Sequence, residues 1–482
     1  MIGGVELRPV LPALVVAITG VVVLLAQAFA AKGSRAPSVP LSLAGLALAL
    51  YSTASTWSGP GRGSVLGGSV AADDFALLGH AVILSVGLLV VLLSQGYLRA
   101  LGQERGEYYA LVLFSVVGML GLVSALELIS LFVALEIMSV ALYALAGLRR
   151  DRPESQESAI KYFVTGAFAS AFFLYGVAIL YGVSGSTSLA QIGTAVAERS
   201  AGSGPLVVLG AGLLLVGFGF KVAAVPFHMW APDVYEGAPT TVTAFMAAGV
   251  KVAAFAALLR VFAGALASAG NDWQPAVAVL AALTMIVGNL GALAQSSIKR
   301  MLAYSSIAHA GYLMTGLVAQ PVQAGESVLF YLVGYAAVNL GTFGAIAALS
   351  RRDAEPLTLA DFAGLGERRP VLAAALTVFL ISLTGVPVSA GFVGKFYLFS
   401  AAVRAGYAGL AVVGVLMSVV SAYYYLRVVV AMYMEEAQAD DRWSPLPAAA
   451  VLALAVCVAV VLALGVYPGP VLMAARLAGA AL

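Results

Sequence analysis

Five charged residues interrupt long apolar segments and are the first candidates for chemistry. Glu136 stands in Leu-Phe-Val-Ala-Leu-Glu-Ile-Met, and Lys161, Lys221, Lys251 and Lys395 are four of the six lysines in the chain. A charge at the depth of a bilayer costs about 2.5–3.5 kcal/mol, so such residues persist where they face a wet interior and find partners. Desolvated lysines can release protons near neutral pH, and a nearby carboxylate opposes that release. These residue types predict a relay that carries protons through the molecule.

A buried ion pair that only fixes helix packing is the alternative interpretation. It accounts for Glu136 with one lysine, but it leaves the remaining lysines uncompensated. Two histidines extend the candidate set, His309 within an apolar segment and His228 at the end of another. Each can act in the relay or form a hydrogen bond between helices, and the structural role fits His228 better. Asp233 and Glu236 follow His228 and can either gather protons at the inner surface or hold the loop.

The composition identifies the class of protein that must position these residues. Of the 482 residues, 62% are hydrophobic and 10% are charged, whereas soluble domains carry about 25% charged residues. This balance excludes a soluble globule and a disordered chain. Apolar runs of roughly 20 residues are typical of membrane-spanning helices and lack the alternation of a transmembrane β-barrel.

Charge and cysteine content exclude further classes. The net charge of +2 indicates no general attraction to nucleic acid. Cys457 is the only cysteine, so the chain can form neither an internal disulfide nor a cysteine-ligated iron–sulfur cluster by itself.

Fourteen membrane spans are predicted, with a short turn near Ser124 separating the fourth from the fifth. They lie near 9–31, 39–58, 74–98, 108–123, 126–148, 157–184, 204–231, 239–268, 273–295, 299–319, 324–350, 370–400, 405–434 and 446–467. Charged residues, glycine and proline mark breaks at 32–35, 59–63, 149–153 and 351–356. If the amino terminus is outside, the inner loops hold 14 Lys and Arg residues and the outer segments hold five. The positive-inside rule therefore predicts that both termini are outside.

Two of these spans contain a proline close to a lysine. Pro226 follows Lys221 by five residues in the seventh span, and Pro387 precedes Lys395 by eight residues in the twelfth. Proline kinks a helix, and broken helices in corresponding halves are typical of repeat-built transporters. Because five spans separate the two breaks, the two halves would have opposite topology. The sequence therefore predicts two inverted repeats, the alternative being two ordinary proline kinks.

Three segments around these residues are similar to one known family. They are His228 to Phe245, with Asp-Val-Tyr-Glu-Gly-Ala-Pro; Gly288 to Tyr312; and Gly-Val-Pro-Val-Ser-Ala-Gly-Phe-Val-Gly-Lys-Phe, from Gly385 to Phe396. All three resemble the antiporter-like membrane subunits of respiratory complex I, and the first resembles the subunit N group in particular. The resemblance covers roughly residues 75–435.

The resemblance implies an all-α polytopic membrane protein of about fourteen transmembrane helices. It implies two inverted five-helix repeats, with helices 7 and 12 broken. The corresponding segments are 1–107 for helices 1–3, 108–268 for the first repeat, 269–434 for the second repeat, and 435–482 for helix 14 and a tail. By motif position, the family's buried charges on helices 5, 6, 7, 8 and 12 fall on Glu136, Lys161, Lys221, Lys251 and Lys395.

The resemblance also implies a proton-translocating subunit of a bacterial NADH:quinone oxidoreductase in the plasma membrane. Its partners would be neighbouring antiporter-like and small membrane subunits, and lipids. Flavin, iron–sulfur clusters and quinone would lie on partner subunits, and this chain would hold no cofactor or metal. Two alternatives are an Mrp-type cation/proton antiporter subunit and a non-transporting membrane scaffold. Buried lysines would repel Na⁺ in such an antiporter and would have no function in a scaffold.

The relay hypothesis makes three geometric predictions. The charged atoms of Glu136 and Lys221 should approach within one water of each other. Lys251 should lie near the middle of its span and continue through His309 toward the second half. Lys395 should point into the bundle on the exit side of its broken helix, rather than snorkel to the headgroups.

Overall fold

The computed structural model describes residues 8–30, 37–59, 63–198, 204–350, 355, 357–436 and 446–482. The predicted break at 32–35 and most of those at 59–63 and 351–356 lie outside these residues. So do seven of the cations that set the predicted orientation: Lys32, Arg35, Arg62, Arg199, Arg351, Arg352 and Arg442. The placement of both termini outside remains a prediction.

Nearly all regular structure in the described part of the chain is helical. The first half contains α1 (Leu11–Ala28), α2 (Ser38–Ser58), α3 (Asp74–Ala100), α4 (Gly106–Ser124), α5 (Leu128–Ala146), α6 (Pro153–Ser184), α7 (Leu189–Ala197), α8 (Gly204–Val222), α9 (Trp230–Gly237) and α10 (Thr240–Ala265). The second half contains α11 (Gly270–Leu293), α12 (Ile298–Leu317), α13 (Pro321–Ala348), α14 (Leu365–Arg368), α15 (Pro370–Thr384), α16 (Ala390–Arg404), α17 (Ala408–Met434), α18 (Ala448–Val466) and α19 (Gly469–Gly479). Short 3₁₀ turns cover Arg8–Val10, Ala267–Ala269 and Leu359–Phe362, and a small antiparallel hairpin pairs β1 (Gly63–Val65) with β2 (Val70–Ala72).

The fourteen predicted spans correspond to fourteen helices or broken helices. Twelve helices in the described ranges are long and apolar enough to cross a membrane. The other two spans are α12, which is less apolar because Lys299, Arg300 and two serines lie on it, and the α15–α16 pair. α4 and α5 are separate helices, which supports fourteen spans rather than thirteen. The helix α19 was not predicted, because its segment reads as a tail.

Both predicted helix breaks are confirmed. The first break follows its lysine in the chain, and the second precedes its lysine. α8 ends at Val222, and Ala223 adopts a left-handed conformation (φ 60°), so the chain leaves the helix immediately after Lys221. The seventh span therefore ends before Pro226 and does not continue to residue 231 as predicted. In the twelfth span Gly385 (φ 92°) ends α15, and the helix resumes before Lys395 is reached.

An internal repeat is visible in equivalent contacts that are 170 residues apart. Gly118 packs against the backbone of Met138 between α4 and α5, and Gly288 packs against the backbone of Ala308 between α11 and α12. A Cβ added at Gly118 would lie 2.3 Å from the backbone nitrogen of Met138, and one added at Gly288 would lie 2.5 Å from that of Ala308. Both contacts therefore require glycine.

The same offset relates two loop contacts. The isolated bridge Glu127–Ser188 in the first half corresponds to Ser297–Thr358 in the second. Five spans separate the two sets of contacts, and consecutive spans cross the membrane in alternating directions. Since five is an odd number, the two repeats have inverted orientations. The boundaries 108–268 and 269–434 remain a prediction.

Two helices form the centre of the molecule. Every residue of α10 is buried except the partly buried Gly264 and Ala265, and α13 is buried along most of its length. α10 also contains two wider π-helical segments, Met246–Val250 and Leu259–Ala265. Segments of this kind are frequent at functional sites, and Lys251 directly follows the first one.

Candidate functional site

Glu136 lies on α5, where that helix faces α6. The carboxylate is partly buried, and Ser170 Oγ on α6 donates a hydrogen bond of 2.5 Å to Glu136 Oε1. The neighbouring Ile137 and Val140 are exposed on the outer side of α5. Glu136 therefore points toward the neighbouring helix and not toward the lipid side of its own helix.

Lys221 lies in the last turn of α8, with only 3% of its surface exposed. A helix carboxyl terminus favours a cation electrostatically. The rings of Tyr162, Tyr143 and Phe220 lie 5.0, 5.5 and 5.6 Å from Lys221 Nζ. Within the described residues Nζ has no hydrogen-bond partner. This amine is enclosed by aromatic rings and free of direct polar contacts.

Glu136 and Lys221 interact electrostatically without forming a contact ion pair. Glu136 is the charged group that acts on the Lys221 amine, and no nitrogen–oxygen distance of 4.0 Å or less joins them among the residues described. The structure therefore places both residues in one region, as predicted. Their separation by a single water remains a prediction.

Lys161 lies elsewhere, and this corrects the expectation that it shares the buried interior with the other lysines. Its side chain is 43% exposed, and Nζ contacts Glu157 and Asp233 at 2.6 Å each. Lys161 is close to the start of α6, so its long side chain reaches the carboxylates of α6 and α9. Arg300 Nη1 completes the cluster with contacts of 2.7 Å to Asp233 and 3.1 Å to Glu236.

The ion pairs of this cluster determine the protonation of Asp233, which lies on the short helix α9. Burial raises its pKa, but hydrogen bonds from Lys161 and Arg300 outweigh burial and hold the pKa of Asp233 below its ordinary value. The carboxylate is therefore ionised at neutral pH.

Lys251 lies in the interior of α10 with 2% of its surface exposed. Its Nζ donates a hydrogen bond to the backbone carbonyl of Ser306 on α12. The ring of Tyr335 lies 5.6 Å away, and Tyr335 Oη donates to Ser306 Oγ at 2.9 Å. The amine thus connects α10 to α12 in the centre of the molecule.

His309 on α12 lies near two buried lysines, Lys251 of α10 in the first half and Lys395 of α16 in the second half. It interacts electrostatically with both Lys395 and Lys251. His309 Nδ1 is 2.5 Å from Tyr331 Oη, and His309 Nε2 is 3.2 Å from Tyr425 Oη. Since both ring nitrogens have hydroxyl partners, the imidazole can accept a proton on one side and release one on the other.

Lys395 points into the bundle, in the orientation predicted. Its Nζ donates hydrogen bonds of 2.9 Å to the carbonyls of Leu383 and Thr384, which the break between α15 and α16 leaves unpaired. The Tyr312 ring lies 4.6 Å from the amine. On the same helix Phe396 is 59% exposed. The aromatic side chain therefore takes the outer face and the lysine the inner one.

The two remaining histidines lie outside this arrangement. His228 occupies the turn between α8 and α9, and burial lowers its pKa below the ordinary value. No hydrogen bond or ion pair joins it to the four candidate lysines in the parts of the chain described. His80 bonds to Leu120 and Ser124 of α4 and so joins α3 to α4.

Sequence reasoning missed the tyrosines around the relay and one buried ion-pair cluster. Tyr143, Tyr331 and Tyr425 gave no signal by charge, although polar hydroxyls in apolar spans could have identified them. The cluster surrounds Glu355, which contacts Arg149 (3.3 Å) and Lys299 (3.8 Å) and accepts hydrogen bonds from Tyr97 and Thr240. It joins loops of both repeats.

The described ranges contain no group of three or more His, Cys, Asp or Glu side chains that could hold a metal ion. The buried groups that do meet are lysines, one carboxylate, a histidine and tyrosine hydroxyls. These groups exchange protons, so the arrangement can conduct protons between its members.

Comparisons with known proteins agree with this chemistry. The family described as NADH:quinone oxidoreductase/Mrp antiporter, TM, matches residues 125–421. NADH-quinone oxidoreductase subunit N of Trichlorobacter lovleyi is 43% identical over 98% of this chain and 96% of its own length. Subunit N 1 of Sorangium cellulosum is 47% identical, and the match covers 95% of each chain.

A solved structure gives the same result at the level of the fold. A chain of respiratory complex I from Thermus thermophilus with bound aureothin is 40% identical, with a TM-score of 0.82 over 96% of this chain and 98% of that one. The extent of these matches, over almost the whole length of each relative, shows that this chain belongs to the subunit N group of the NADH:quinone oxidoreductase and Mrp antiporter family.

Proposed function

We infer that this chain is a proton-translocating membrane subunit of an NADH:quinone oxidoreductase. The observation that carries the inference is a set of titratable side chains in the interior, the partly buried Glu136 and the buried Lys221, Lys251, His309 and Lys395. Burying one charged group is costly, and a purely structural role would pair each one with an opposite charge. Instead, among the described residues Lys251 and Lys395 donate their hydrogen bonds to backbone carbonyls and not to carboxylates, and such amines can hold a transferable proton.

The proton route runs through both repeats. Glu136 switches Lys221 in the first repeat, because a nearby carboxylate favours the charged amine and its withdrawal favours release. Lys251 receives the proton at the centre and passes it through His309 toward Lys395. Carbonyls freed at the α15–α16 break give Lys395 a polar exit.

Lys161 and His228 have peripheral roles in this scheme. Lys161, with Asp233, Glu236 and Arg300, forms an exposed charged cluster at one end of α6, where it can exchange protons with water and supply the interior. His228 lies half-buried in the turn that precedes α9, so its role in this scheme is at the entrance to the relay.

Redox chemistry belongs to partner subunits in this proposal. The sole cysteine, Cys457, is buried, and the subunit N relatives carry the name of a multi-subunit oxidoreductase. Flavin, iron–sulfur clusters and quinone would lie on those partners and none in this chain. The partners in the membrane are neighbouring antiporter-like and small membrane subunits together with lipids, in a bacterial plasma membrane with both termini outside.

An Mrp-type cation/proton antiporter is the rival function, since the family description includes it. A sodium site needs several oxygen ligands, whereas the interior groups identified above are mainly amines that repel Na⁺. A non-transporting scaffold gives the buried amines no role. The identities of 43% and 47% to subunit N relatives also favour the oxidoreductase.

Copurification and a transport assay test the proposal together. An affinity-tagged chain should copurify with subunits that oxidise NADH, and inverted membrane vesicles should take up protons when NADH is added. Uptake should persist when Na⁺ is replaced by K⁺ or choline. Purification without an NADH-oxidising partner, or proton movement that requires Na⁺, would contradict the proposal.

A further inference from the structure

Three buried polar atoms of the side chains around Lys221 form no hydrogen bond of ordinary geometry in the described part of the chain. They are Lys221 Nζ, Tyr162 Oη and Tyr143 Oη, and the last of these has the Ser139 side chain nearby. The two tyrosine rings contact each other edge to face, with their centroids 4.8 Å apart. Leaving a buried polar group unpaired destabilises a protein, and buried waters usually satisfy such groups, with about three hydrogen bonds each. This enclosure therefore suits ordered water.

Tyr143 is the member of this group that also relates to Glu136. It follows Glu136 by seven residues on α5, which is two helical turns and therefore the same face. The two Cα positions are about 10 Å apart along the helix axis, a distance that a tyrosine side chain and one or two waters can span. Glu136 interacts electrostatically with both Tyr143 and Lys221.

Helix α6 holds the Tyr143 hydroxyl in place. A Cβ added at Gly166 would lie 2.1 Å from Tyr143 Oη, so the hydroxyl occupies the space that glycine leaves. Ser170, one turn further along α6, donates the hydrogen bond to Glu136. Consecutive turns of α6 thus position the hydroxyl and the carboxylate side by side.

Tyr162 has a different role from Tyr143. Its ring stacks on Trp230, with the centroids 4.5 Å apart, and on Phe220, at 6.1 Å. Trp230 in turn donates a hydrogen bond of 3.0 Å to the Phe220 carbonyl. Tyr162 is therefore part of an aromatic wall that Trp230 and Phe220 hold beside the amine.

We propose that Tyr143 bridges Glu136 and Lys221, its hydroxyl orienting the water through which a proton passes between them. The Lys221 ammonium gives a proton to this water while the water gives one of its own to the Glu136 carboxylate, and the reverse step restores both charges. Tyr143 keeps its own proton and acts as a positioning residue. This inference rests on the proposed function, because it assigns the internal connection of the same relay.

The test is Tyr143→Phe, which removes the hydroxyl and keeps the ring. In the intact complex in inverted membrane vesicles, we expect the rate of NADH-driven proton uptake to fall about three- to tenfold, the range for one lost hydrogen bond. The solvent deuterium isotope effect on uptake should rise, because proton transfer becomes the slower step. A purely structural role for the hydroxyl would not change that isotope effect.

Tyr109→Phe is the matched control. Tyr109 Oη is also buried and without a hydrogen-bond partner in the described residues, but its ring contacts Tyr108 on α4, with the centroids 5.2 Å apart. No contact joins it to Glu136 or Lys221 in those residues, so its proton uptake and isotope effect should equal those of the unmodified complex.

Three outcomes decide the matter. Normal uptake with an unchanged isotope effect in Tyr143→Phe overturns the bridge, and so does loss of assembly, since the hydroxyl is assigned no packing role. Lys221→Met, measured in parallel, separates the two proposals. If it abolishes uptake while Tyr143→Phe is normal, the bridge is wrong and the relay stands; if Lys221→Met is also normal, the relay itself is wrong.

Discussion

Equivalent positions in the two repeats interact with buried amines in different ways, although the helices of the two repeats pack through equivalent contacts. In the first repeat, Lys221 has no hydrogen-bond partner in the described residues and interacts with the carboxylate of Glu136. The position 170 residues after Glu136 is Ser306, and its backbone carbonyl accepts the hydrogen bond from Lys251. A carboxylate in one repeat is thus replaced by a neutral carbonyl in the other.

This difference distinguishes two roles. A switch changes the proton affinity of a neighbouring amine, whereas a conduit only passes a proton on. A carboxylate can change its own charge and so alter the proton affinity of a neighbouring amine, whereas a backbone carbonyl has a fixed dipole. The Glu136–Lys221 pair can therefore respond to events outside it, whereas a proton can pass from Lys251 at the end of the first repeat to His309 and Lys395 of the second without a charge of opposite sign. The predictions below test this division.

The largest effect is expected for Lys251→Met at the junction of the two repeats. Methionine retains the length of the side chain and removes the only titratable group at that position. General acid–base groups contribute about 10²- to 10⁴-fold to a rate, so proton uptake through this subunit should fall by about 100-fold or more. The measurement is NADH-driven uptake in inverted vesicles, normalised to NADH oxidation.

Lys299→Met serves as the control for the removal of a buried amine. Lys299 is also fully buried, but it donates to the Ala238 carbonyl at 2.7 Å and lies 3.8 Å from Glu355. Its loss should lower the thermal stability of the complex and leave the protons carried per NADH unchanged. Normal uptake in Lys251→Met would exclude that residue from the path.

A smaller effect is expected for Glu136→Ala, and the comparison with Ser306→Ala tests the switch directly. Without the carboxylate, Lys221 loses the group that changes its proton affinity, and coupled uptake should fall about tenfold to 100-fold. Glu136→Asp should retain much of the activity. Ser306→Ala should stay within about threefold of the unmodified complex, because Lys251 binds the Ser306 carbonyl and the substitution removes only the hydroxyl that contacts Tyr335 and Tyr235. Equal losses in both alanine variants would remove the distinction between switch and conduit.

A still smaller effect is expected for Tyr331→Phe in the second repeat. The substitution removes the hydroxyl 2.5 Å from His309 Nδ1 and keeps the ring that stacks on Tyr335. Proton uptake should fall about three- to tenfold, as for one hydrogen bond. Tyr397→Phe is a suitable control, because its ring packs on Phe330 and Phe396 instead of His309. An unchanged rate in Tyr331→Phe would show that His309 exchanges its proton through another partner.

Much of the fold could be predicted because hydrophobicity alone specifies membrane-spanning segments. The fourteen spans and both breaks follow from apolar runs and from prolines near lysines. The exact break after Lys221 could not be predicted, since it depends on the left-handed conformation of Ala223, a residue with no sequence signature for a turn.

The candidate site was predicted where charge gave the signal and missed where it did not. Lys221, Lys251 and Lys395 are conspicuous in apolar spans, and all three are buried. Lys161 reads the same way in sequence, but a side chain near a helix end can reach polar partners, and here it reaches Asp233. Tyrosine hydroxyls carry no charge, so the sequence marks Tyr143 and Tyr331 only as polar groups in apolar spans, and their partners follow from the packing of helices distant in sequence.

The smallest effect is expected for Asp233→Asn, which separates the peripheral cluster from both repeats. Because the pKa of Asp233 is lowered in the folded protein, its ion pairs stabilise the fold above the unfolded pKa, near 3.9, and this stability is lost as the pH falls through the folded value. The side chain is 29% exposed, so solvent screening limits the contribution to about 1 kcal/mol or less. At pH 7 the variant should therefore melt slightly below the unmodified complex, and the difference in Tm should shrink toward pH 3. Proton uptake per NADH should change less than in Tyr331→Phe, because Lys161 and Arg300 keep Glu157 and Glu236 as partners. A loss of uptake as large as that of Glu136→Ala would instead make Asp233 an obligatory member of the relay. Proton transfer would then depend on the charged cluster around Asp233 as well as on the sites in the two repeats.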